Sequence, residues 1–211
     1  MMLKNFIFSP CYYCHQQQRQ SKMSCYPDGR RLCSDCVQHI ILTPEHLAIV
    51  AQWVMTQLDL LGFNFEKGST QISLISQQRM KDLGHDQAQG LATSTILIDS
   101  MYAHQQHEKA QINIIYGMPV ANLVWVLSHE LGHVFVSQHQ KKFKHSAEEE
   151  GFCQLLALIV SQRSKNPQMS KVIAKELQNP DPIYGNELRK AYQEYQTRGF
   201  HRYFSDYLDI K

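Results

Sequence analysis

The sequence predicts an α+β protein in which a short cysteine-rich segment precedes a small sheet and a mostly helical C-terminal half. Two Cys-x-x-Cys pairs lie within the first 36 residues. Short runs rich in isoleucine and threonine lie between residues 71 and 116, which is typical of strands. Stretches with apolar residues at helical spacing follow residue 119, so we expect the second half of the chain to be helical.

One helix and three strands are predicted before residue 119. Thr43 caps the helix, Pro44 takes its first position, and apolar residues recur at helical spacing until Gly62 ends it. The three strands cover residues 71–76, 93–99 and 111–116. Each of these runs is bounded by residues that favour turns or strand ends.

The C-terminal half is predicted to contain two long helices and then shorter ones. The first long helix covers residues 119–138. The second begins near Ser146 as its N-cap, carries three glutamates in its first turn, and ends near Arg163. The later helices are bounded by Pro167, by Asn179-Pro180-Asp181-Pro182 and by Gly199.

Composition and charge exclude several classes of protein. The chain has 211 residues, of which 43% are hydrophobic, so it can bury a core and is not a disordered protein. A formal charge of +2 is too small to predict a nucleic-acid or membrane-surface partner. The chain has no apolar run of about 18 residues and no signal peptide at its start, so we expect a cytoplasmic protein.

Four cysteines are predicted to hold a structural zinc ion. Two Cys-x-x-Cys pairs separated by 18 residues supply the four tetrahedral thiolates that zinc prefers. Such a short segment has little core of its own, so the metal would fold it. Cys25 is interpreted as a spare thiol, and His15 or His39 could replace one cysteine. The expected ligands are Cys11, Cys14, Cys33 and Cys36.

A second metal site is predicted from His129-Glu130-Leu131-Gly132-His133. Histidines four residues apart project from one face of a helix, as two zinc ligands require, and Glu130 between them can reach a metal-bound water as a general base. Gly132 supports a functional interpretation, because a glycine inside a helix costs about 1 kcal/mol relative to alanine.

Two candidates compete for the third protein ligand of this site. His139 completes the metzincin spacing, but that motif needs a glycine where this chain has Val136. The alternative is a carboxylate from the segment that begins at Glu149, which resembles the Asn-Glu-Gly-Phe-Ala turn of gluzincin aminopeptidases. That resemblance makes Glu150 the ligand and Glu149 the fallback, with Gln154 as a hydrogen-bond partner of a ligand histidine.

Taken together, these motifs resemble the plant organ-size-regulating, ubiquitin-activated LIM peptidases, the "DA-one" family, and their bacterial relatives. The resemblance runs from about Cys11 to the C-terminus. It implies a gluzincin-type zinc metallopeptidase domain over residues 43–211, after a LIM-like zinc finger over residues 1–42. The segments that carry it are Asp28-Gly29-Arg30-Arg31-Leu32-Cys33-Ser34-Asp35-Cys36, Tyr116-Gly117-Met118-Pro119, the histidine motif, Glu149-Glu150-Gly151-Phe152-Cys153-Gln154 and Tyr184-Gly185-Asn186.

The expected activity is hydrolysis of peptide bonds in protein or peptide substrates by a metal-activated water with Glu130 as base. One catalytic and one structural Zn²⁺ are expected. Substrate is expected to pair with the strand at residues 111–116. Tyr184 is the first candidate for the oxyanion donor, before Tyr192, Tyr195 and His201. The chain begins at the first cysteine pair without ubiquitin-interacting motifs, so ubiquitin is not an expected partner.

Two other functions remain open. The chain could be a non-catalytic adaptor whose zinc finger binds a protein partner, although an intact Glu130 disfavours this. It could also be a DNA-associated protease of the SprT type, which would need His139 or His145 as third ligand and a basic surface. The only basic cluster in the sequence, Lys141-Lys142-x-Lys144-His145, is more typical of a solvated loop.

Overall fold

The computed structural model describes residues 7–66, 68–98, 106–205 and 207–208. The cysteine-rich segment folds into short antiparallel strand pairs joined by tight turns. Its small size leaves room for only a few residues in each element. These elements are β1 (Phe8–Pro10), β2 (Gln17–Arg19), a 3₁₀ turn (Gln20–Lys22), β3 (Ser24–Cys25), β4 (Arg31–Leu32), α1 (Ser34–Val37) and β5 (Ile40–Ile41).

The predicted helix after Thr43 is confirmed as α2 (Pro44–Leu60). The Thr43 hydroxyl accepts a hydrogen bond from the His46 N–H at 3.3 Å, which satisfies one of the unpaired donors of the first turn. Leu47, Val54 and Leu58 are buried, so one face of this helix packs on the core.

A three-stranded sheet follows α2 and contains all three predicted strands. It is built from β6 (Thr70–Ile75), β7 (Gly90–Ile98) and β8 (Gln106–Ile115), with α3 (Gln77–Asp82) between the first two strands. The order is β6-β8-β7, with β6 parallel and β7 antiparallel to β8. Asp99, the end of the strand predicted over residues 93–99, lies outside the described residues.

The order of the strands corrects one expectation. Residues 111–116 were expected to pair with substrate, but β8 is the central strand, and both of its hydrogen-bonding edges are taken by β6 and β7. An added strand needs a free edge. Within the described residues β7 pairs with β8 alone, so β7 offers such an edge.

Two long helices supply a large share of the core. A two-residue strand, β9 (Met118–Pro119), leads into α4 (Val120–Gln138), and α5 (Ser146–Gln162) packs against α4. Most residues of both helices are buried. The chain ends with α6 (Met169–Leu177) and α7 (Tyr184–Phe204), and α7 is interrupted at Gly199, which has a φ of 72°.

The start of α5 differs from the prediction by one residue. His145 is the N-cap, and Ser146 is the first helical residue. The Glu148 carboxylate reaches back and accepts a hydrogen bond from the Lys144 N–H at 3.0 Å. No side chain caps α5, so the hydroxyl cap expected of Ser146 is not present, and the Glu148 carboxylate instead bonds the chain just before the N-cap.

The cysteine-rich segment and the helices share one hydrophobic core. β5 pairs with β9, so the segment is hydrogen-bonded to the residues that lead into α4. Arg30 is 4% exposed and donates to the Tyr116 carbonyl oxygen at 2.9 Å and to the Tyr13 hydroxyl at 2.6 Å. None of the described helices is long and apolar enough to cross a membrane.

Candidate metal centres and active-site cleft

Four of the cysteines converge near the N-terminus. Their sulfur atoms all lie within 4.8 Å of one another, and all four thiols are free. The Cys33 N–H donates to Cys11 Sγ at 3.3 Å, and hydrogen bonding from the Cys36 thiol is the main cause that lowers the pKa of Cys11 to about 4. The chemistry of these donors fits a tetrahedral zinc ion. The four are Cys11, Cys14, Cys33 and Cys36.

The other candidates of this segment lie outside the cluster. Cys25 is exposed, and its thiol lies 3.6 Å from the Tyr26 carbonyl oxygen. His15 and His39 are not members of the cluster that the structure brings together. The candidate ligands of this site are therefore the four paired cysteines, with neither histidine in place of one of them.

A second group of side chains that could hold a metal ion forms where α4 meets α5. His129 and His133 lie one turn apart on α4, and their Nε2 atoms are 3.2 Å from each other. Glu150, just after the first turn of α5, places Oε2 3.3 Å from His129 Nε2 and Oε1 3.6 Å from His133 Nε2. Two imidazole nitrogens and one carboxylate therefore face a common point.

The neighbouring glutamate has a different contact. Glu149 Oε1 lies 2.8 Å from His133 Nδ1, the ring nitrogen that faces away from the convergence point. Of the two carboxylates considered as the third ligand, Glu150 is the one that joins both histidines. His129 Nδ1 is buried without a hydrogen-bond partner. Glu149 therefore orients only one of the two histidines, His133.

The side chains of the group shift one another's pKa values because they lie so close together. Although burial raises the pKa of Glu150, its contacts with His129 and His133 outweigh this and lower the pKa to about 2. Burial lowers the pKa of His133, but hydrogen bonding to Cys153, Glu149 and Glu150 raises it well above its usual range.

An orphaned atom supports the same interpretation. Glu150 Oε2 is buried and accepts no hydrogen bond, which is costly for a carboxylate oxygen unless a cation compensates it. Two imidazoles and one carboxylate are a ligand set of catalytic zinc sites. The side chains present at this point therefore fit a zinc ion.

Glu130 faces the free edge of the sheet. Its Oε2 accepts a hydrogen bond from the Ala92 N–H of β7 at 2.8 Å, and the residue is 8% exposed. Gly90 makes this approach possible, since a Cβ there would lie 2.8 Å from Glu130 Oε1 and 2.6 Å from Val126 Cγ1. The sequence analysis missed Gly90, although a glycine at the start of a strand often marks a close approach.

An open cleft of about 520 Å³ gives access to this group. His129 and Glu130 lie on one wall, and the loop from Gly84 to Gly90 lies on another. Tyr184 stands at its rim, 44% exposed, with its ring centroid 6.3 Å from that of His129. Partial burial and the carboxylates of Glu150 and Glu130 raise the pKa of Tyr184, so its hydroxyl keeps its proton.

The other oxyanion candidates lie elsewhere. Tyr192 and Tyr195 stack on each other, and Tyr195 packs on the buried Phe204. His201 lines a separate cavity of about 610 Å³ that holds no member of the histidine–glutamate group. Of the four candidates, Tyr184 is the one that lines the cleft.

Gln154 also has a different partner from the one expected. Its Oε1 accepts a hydrogen bond from the Trp125 indole N–H at 3.0 Å, rather than contacting a ligand histidine. The reason is its position on α5, where it faces the α4 turn that precedes His129. Gln154 and Trp125 both line the cleft.

The histidines required by the competing ligand sets are outside the metal group. The His139 ring stacks on Phe135 with centroids 4.1 Å apart, and its Nδ1 lies 3.0 Å from the Phe135 carbonyl oxygen. Val136 continues α4 and is 6% exposed, so the chain makes no metzincin-type turn there. His145 is the N-cap of α5 and likewise does not join the group.

Comparison with known protein families gives one match over about half of the chain. Residues 65–171 match the DA1-like family, described as Protein DA1. The matched range contains the three-stranded sheet, α4, α5 and all members of the histidine–glutamate group. Comparisons with curated proteins and with solved structures give no match.

Proposed function

The chain belongs to the DA1-like family, and on that premise we propose that it is a zinc-dependent metallopeptidase of gluzincin type that hydrolyses protein or peptide substrates. The observation that carries the proposal is the convergence of His129, His133 and Glu150 at an open cleft that His129 and Glu130 line. The arrangement combines three candidate metal ligands with the Glu130 carboxylate, which can accept and return a proton.

His129, His133 and Glu150 would hold the catalytic zinc. When bound, the ion supplies Lewis acidity, which polarises a substrate carbonyl and makes water a better nucleophile near neutral pH. Glu149 holds the His133 ring by its Nδ1 atom, which favours the tautomer whose Nε2 is free to bind the metal.

Glu130 acts as general base and then as general acid. Its carboxylate takes a proton from the attacking water and returns it to the nitrogen of the leaving amine. The hydrogen bond from the Ala92 N–H occupies one carboxylate oxygen, Oε2, and so fixes the direction of Oε1. Tyr184 donates a hydrogen bond from its hydroxyl to the oxyanion that develops on the substrate carbonyl.

The free edge of β7 is where we place the substrate backbone. The Ala92 N–H points to Glu130, away from β8, and in an antiparallel strand alternate residues share that direction. Gly90 and Ser94 therefore also present backbone groups to the free edge. A peptide paired there runs past Glu130 and the metal group in an extended conformation.

The four-cysteine cluster is proposed to hold a structural zinc ion. Its residues share the core with α2 and α4, and Arg30 ties the segment to Tyr116. These contacts support a stabilising role more than that of a separate adaptor, which would leave the segment free to bind a partner.

Zinc content and peptide cleavage, measured on the same samples, test this proposal. The wild type is expected to hold two zinc ions and to cleave members of a peptide library. Glu130→Gln should keep both ions and lower kcat by about 10²–10⁴-fold, because proton transfer is lost without loss of a ligand. The double variant His133→Ala, Glu150→Ala should hold one ion and cleave nothing.

Two outcomes would contradict it. One zinc ion in the wild type and in the double variant would mean that only the cysteine cluster binds metal, and the adaptor function would then be favoured. Full cleavage by Glu130→Gln would remove the proposed base from the mechanism.

A further inference from the structure

The segment between α6 and α7 carries Tyr184 to the rim of the cleft. Asn179 Oδ1 accepts a hydrogen bond from the Asp181 N–H at 3.0 Å. Asp181 Oδ1 in turn accepts from the N–H groups of Ile183 and Tyr184, both at 2.8 Å. Prolines at 180 and 182 restrict the backbone between these contacts. These hydrogen bonds and prolines fix the backbone just before Tyr184, which is the first residue of α7.

Arg189 binds this turn from one helical turn further along α7. Its Nη1 donates to the Leu177 carbonyl oxygen at 3.1 Å and to the Asn179 carbonyl oxygen at 2.7 Å, and Nη2 donates to Asn186 Oδ1. Among the ion pairs of the described residues, none includes Arg189. Its charge is therefore directed at the carbonyl end of α6, where a cation is favoured.

Gly185 allows the turn to lie directly against α7. A Cβ at this position would be 1.9 Å from the Asn179 carbonyl oxygen, so any side chain would push the turn away from the helix. The same carbonyl oxygen accepts the shorter hydrogen bond from Arg189. The Asn179 carbonyl oxygen thus accepts a hydrogen bond from Arg189 and lies directly against the backbone of Gly185.

The first turns of α7 also pack against the helix that carries the glutamate of the metal group. A Cβ on Gly151, the residue after Glu150, would lie 3.0 Å from both Cβ and the carbonyl oxygen of Glu187. The packing of α7 against α5 therefore determines the position of Tyr184 relative to Glu150.

We propose that Arg189 is a positioning residue that holds Tyr184 over the His129–Glu150 group by joining the end of α6 to the start of α7. This inference rests on the proposed peptidase function. Arg189 does not line the cleft, so it acts through Tyr184 and not on the substrate. A lysine has one ammonium group in place of the planar fork, and it would not bridge the same three acceptors in a fixed geometry.

A double-mutant cycle in kcat tests the proposal. Tyr184→Phe is expected to lower kcat by about 10²-fold, as for the loss of one oxyanion donor. Arg189→Met should lower kcat by about 10- to 100-fold through misplacement of the tyrosine, with KM and zinc content unchanged. The variant with both changes should be about as slow as Tyr184→Phe alone, because Arg189 then has no hydroxyl to position.

Two further variants separate positioning from folding. Arg198→Met makes the same chemical change on the same helix, at a residue that pairs with the exposed Glu194, and should keep wild-type kcat. Arg189→Lys preserves the charge and is expected to fall between the wild type and Arg189→Met. The melting temperature is measured for each variant, and a loss of kcat in Arg189→Lys at an unchanged melting temperature supports positioning.

A readout that does not need activity keeps this test separate from that of the peptidase function. With 3-fluorotyrosine in the zinc-loaded protein, the ¹⁹F signal of Tyr184 is the one that Tyr184→Phe removes. This signal is expected to shift or broaden in Arg189→Met and to stay unchanged in Arg198→Met. If the wild type cleaves no peptide, the proposed function fails while the ¹⁹F result still decides the placement of Tyr184. An unchanged ¹⁹F signal in Arg189→Met, or additive losses in the cycle, would overturn the proposal.

Discussion

Two adjacent glutamates at the start of α5 have different tasks because consecutive residues of a helix point in directions about 100° apart. Glu150 turns to both histidine Nε2 atoms, while Glu149 reaches the far nitrogen of His133. Glu148 turns away from the site and bonds the Lys144 N–H. One short run of like charge thus supplies a carboxylate of the candidate metal group, a hydrogen-bond partner for one of its histidines, and an acceptor for the Lys144 N–H.

Replacing Glu149 by glutamine should weaken zinc binding at the catalytic site by about 10- to 100-fold, because the His133 ring loses a charged hydrogen-bond acceptor. The cysteine site should keep its zinc. Competition with a chromophoric chelator at constant pH measures both affinities. Glu148→Gln is the matched control and should leave both unchanged, and equal affinities in the two variants would argue against the orienting role of Glu149.

At the scale of elements, the metal group depends on how closely α4 approaches α5. Gly132, between the two histidines, faces Cys153 on α5, and a Cβ there would lie 2.9 Å from Cys153 Sγ and 3.2 Å from its Cα. The glycine is therefore a packing residue that lets the two helices bring their ligands together. Its cost in helix propensity, about 1 kcal/mol, is offset by this contact.

Gly132→Ala should lower the free energy of unfolding by about 1–2 kcal/mol, because overpacking of a buried contact outweighs the gain in helix propensity. Urea denaturation of the zinc-loaded protein measures this change. Adding Cys153→Ala removes the sulfur that the new methyl group meets but keeps Cys153 Cβ and Cα, which would lie 3.1 and 3.2 Å from that group, so it should recover only part of the loss. A stabilised Gly132→Ala variant would show that the two helices can move apart freely.

At the scale of the whole molecule, the cysteine-rich segment is attached to the residues that lead into α4. The Gly117 N–H donates to the Ile41 carbonyl oxygen at 2.6 Å, and the Val120 N–H donates to that of His39 at 2.8 Å. Arg30 adds a buried contact with the Tyr116 carbonyl oxygen. Folding of the segment and order at the start of α4 are therefore coupled.

Loss of one cysteine ligand should expose this coupling. Cys33→Ser is expected to lose the structural zinc, to unfold the N-terminal segment, and to speed hydrogen exchange at the Gly117 and Val120 amides about tenfold or more. Hydrogen exchange read by mass spectrometry locates the change. Cys25→Ser, at an exposed cysteine outside the four-cysteine cluster, should behave as the wild type. Unchanged exchange at Gly117 and Val120 in Cys33→Ser would mean that the segment folds independently.

Much of the outline could be predicted because it depends on short-range patterns. The cap at Thr43, the three strands, the helix that carries His129 and His133, and the break at Gly199 all follow from residues within a few positions of one another. The start of α5 differed by one residue, because local patterns locate the end of a helix only to within a residue or two.

The central position of β8 could not be predicted in this way. The order of strands in a sheet depends on contacts between residues distant in the chain, and the pattern of β8 alone reads equally well as a central or an edge strand. The hydrogen bond of Gln154 with Trp125 has the same origin, because its partner lies on another helix.

The chemistry of the two candidate metal groups could be predicted from sequence, since ligands four residues apart on a helix, or in paired Cys-x-x-Cys turns, are positioned by local geometry. Three features came from the packing of distant elements: Glu150 joins the histidines, Glu149 contacts His133, and Gly90 lets β7 lie against Glu130. These choices depend on the angle and distance at which separate elements pack. That packing is set by side chains that lie far apart in the sequence and meet only in the folded core.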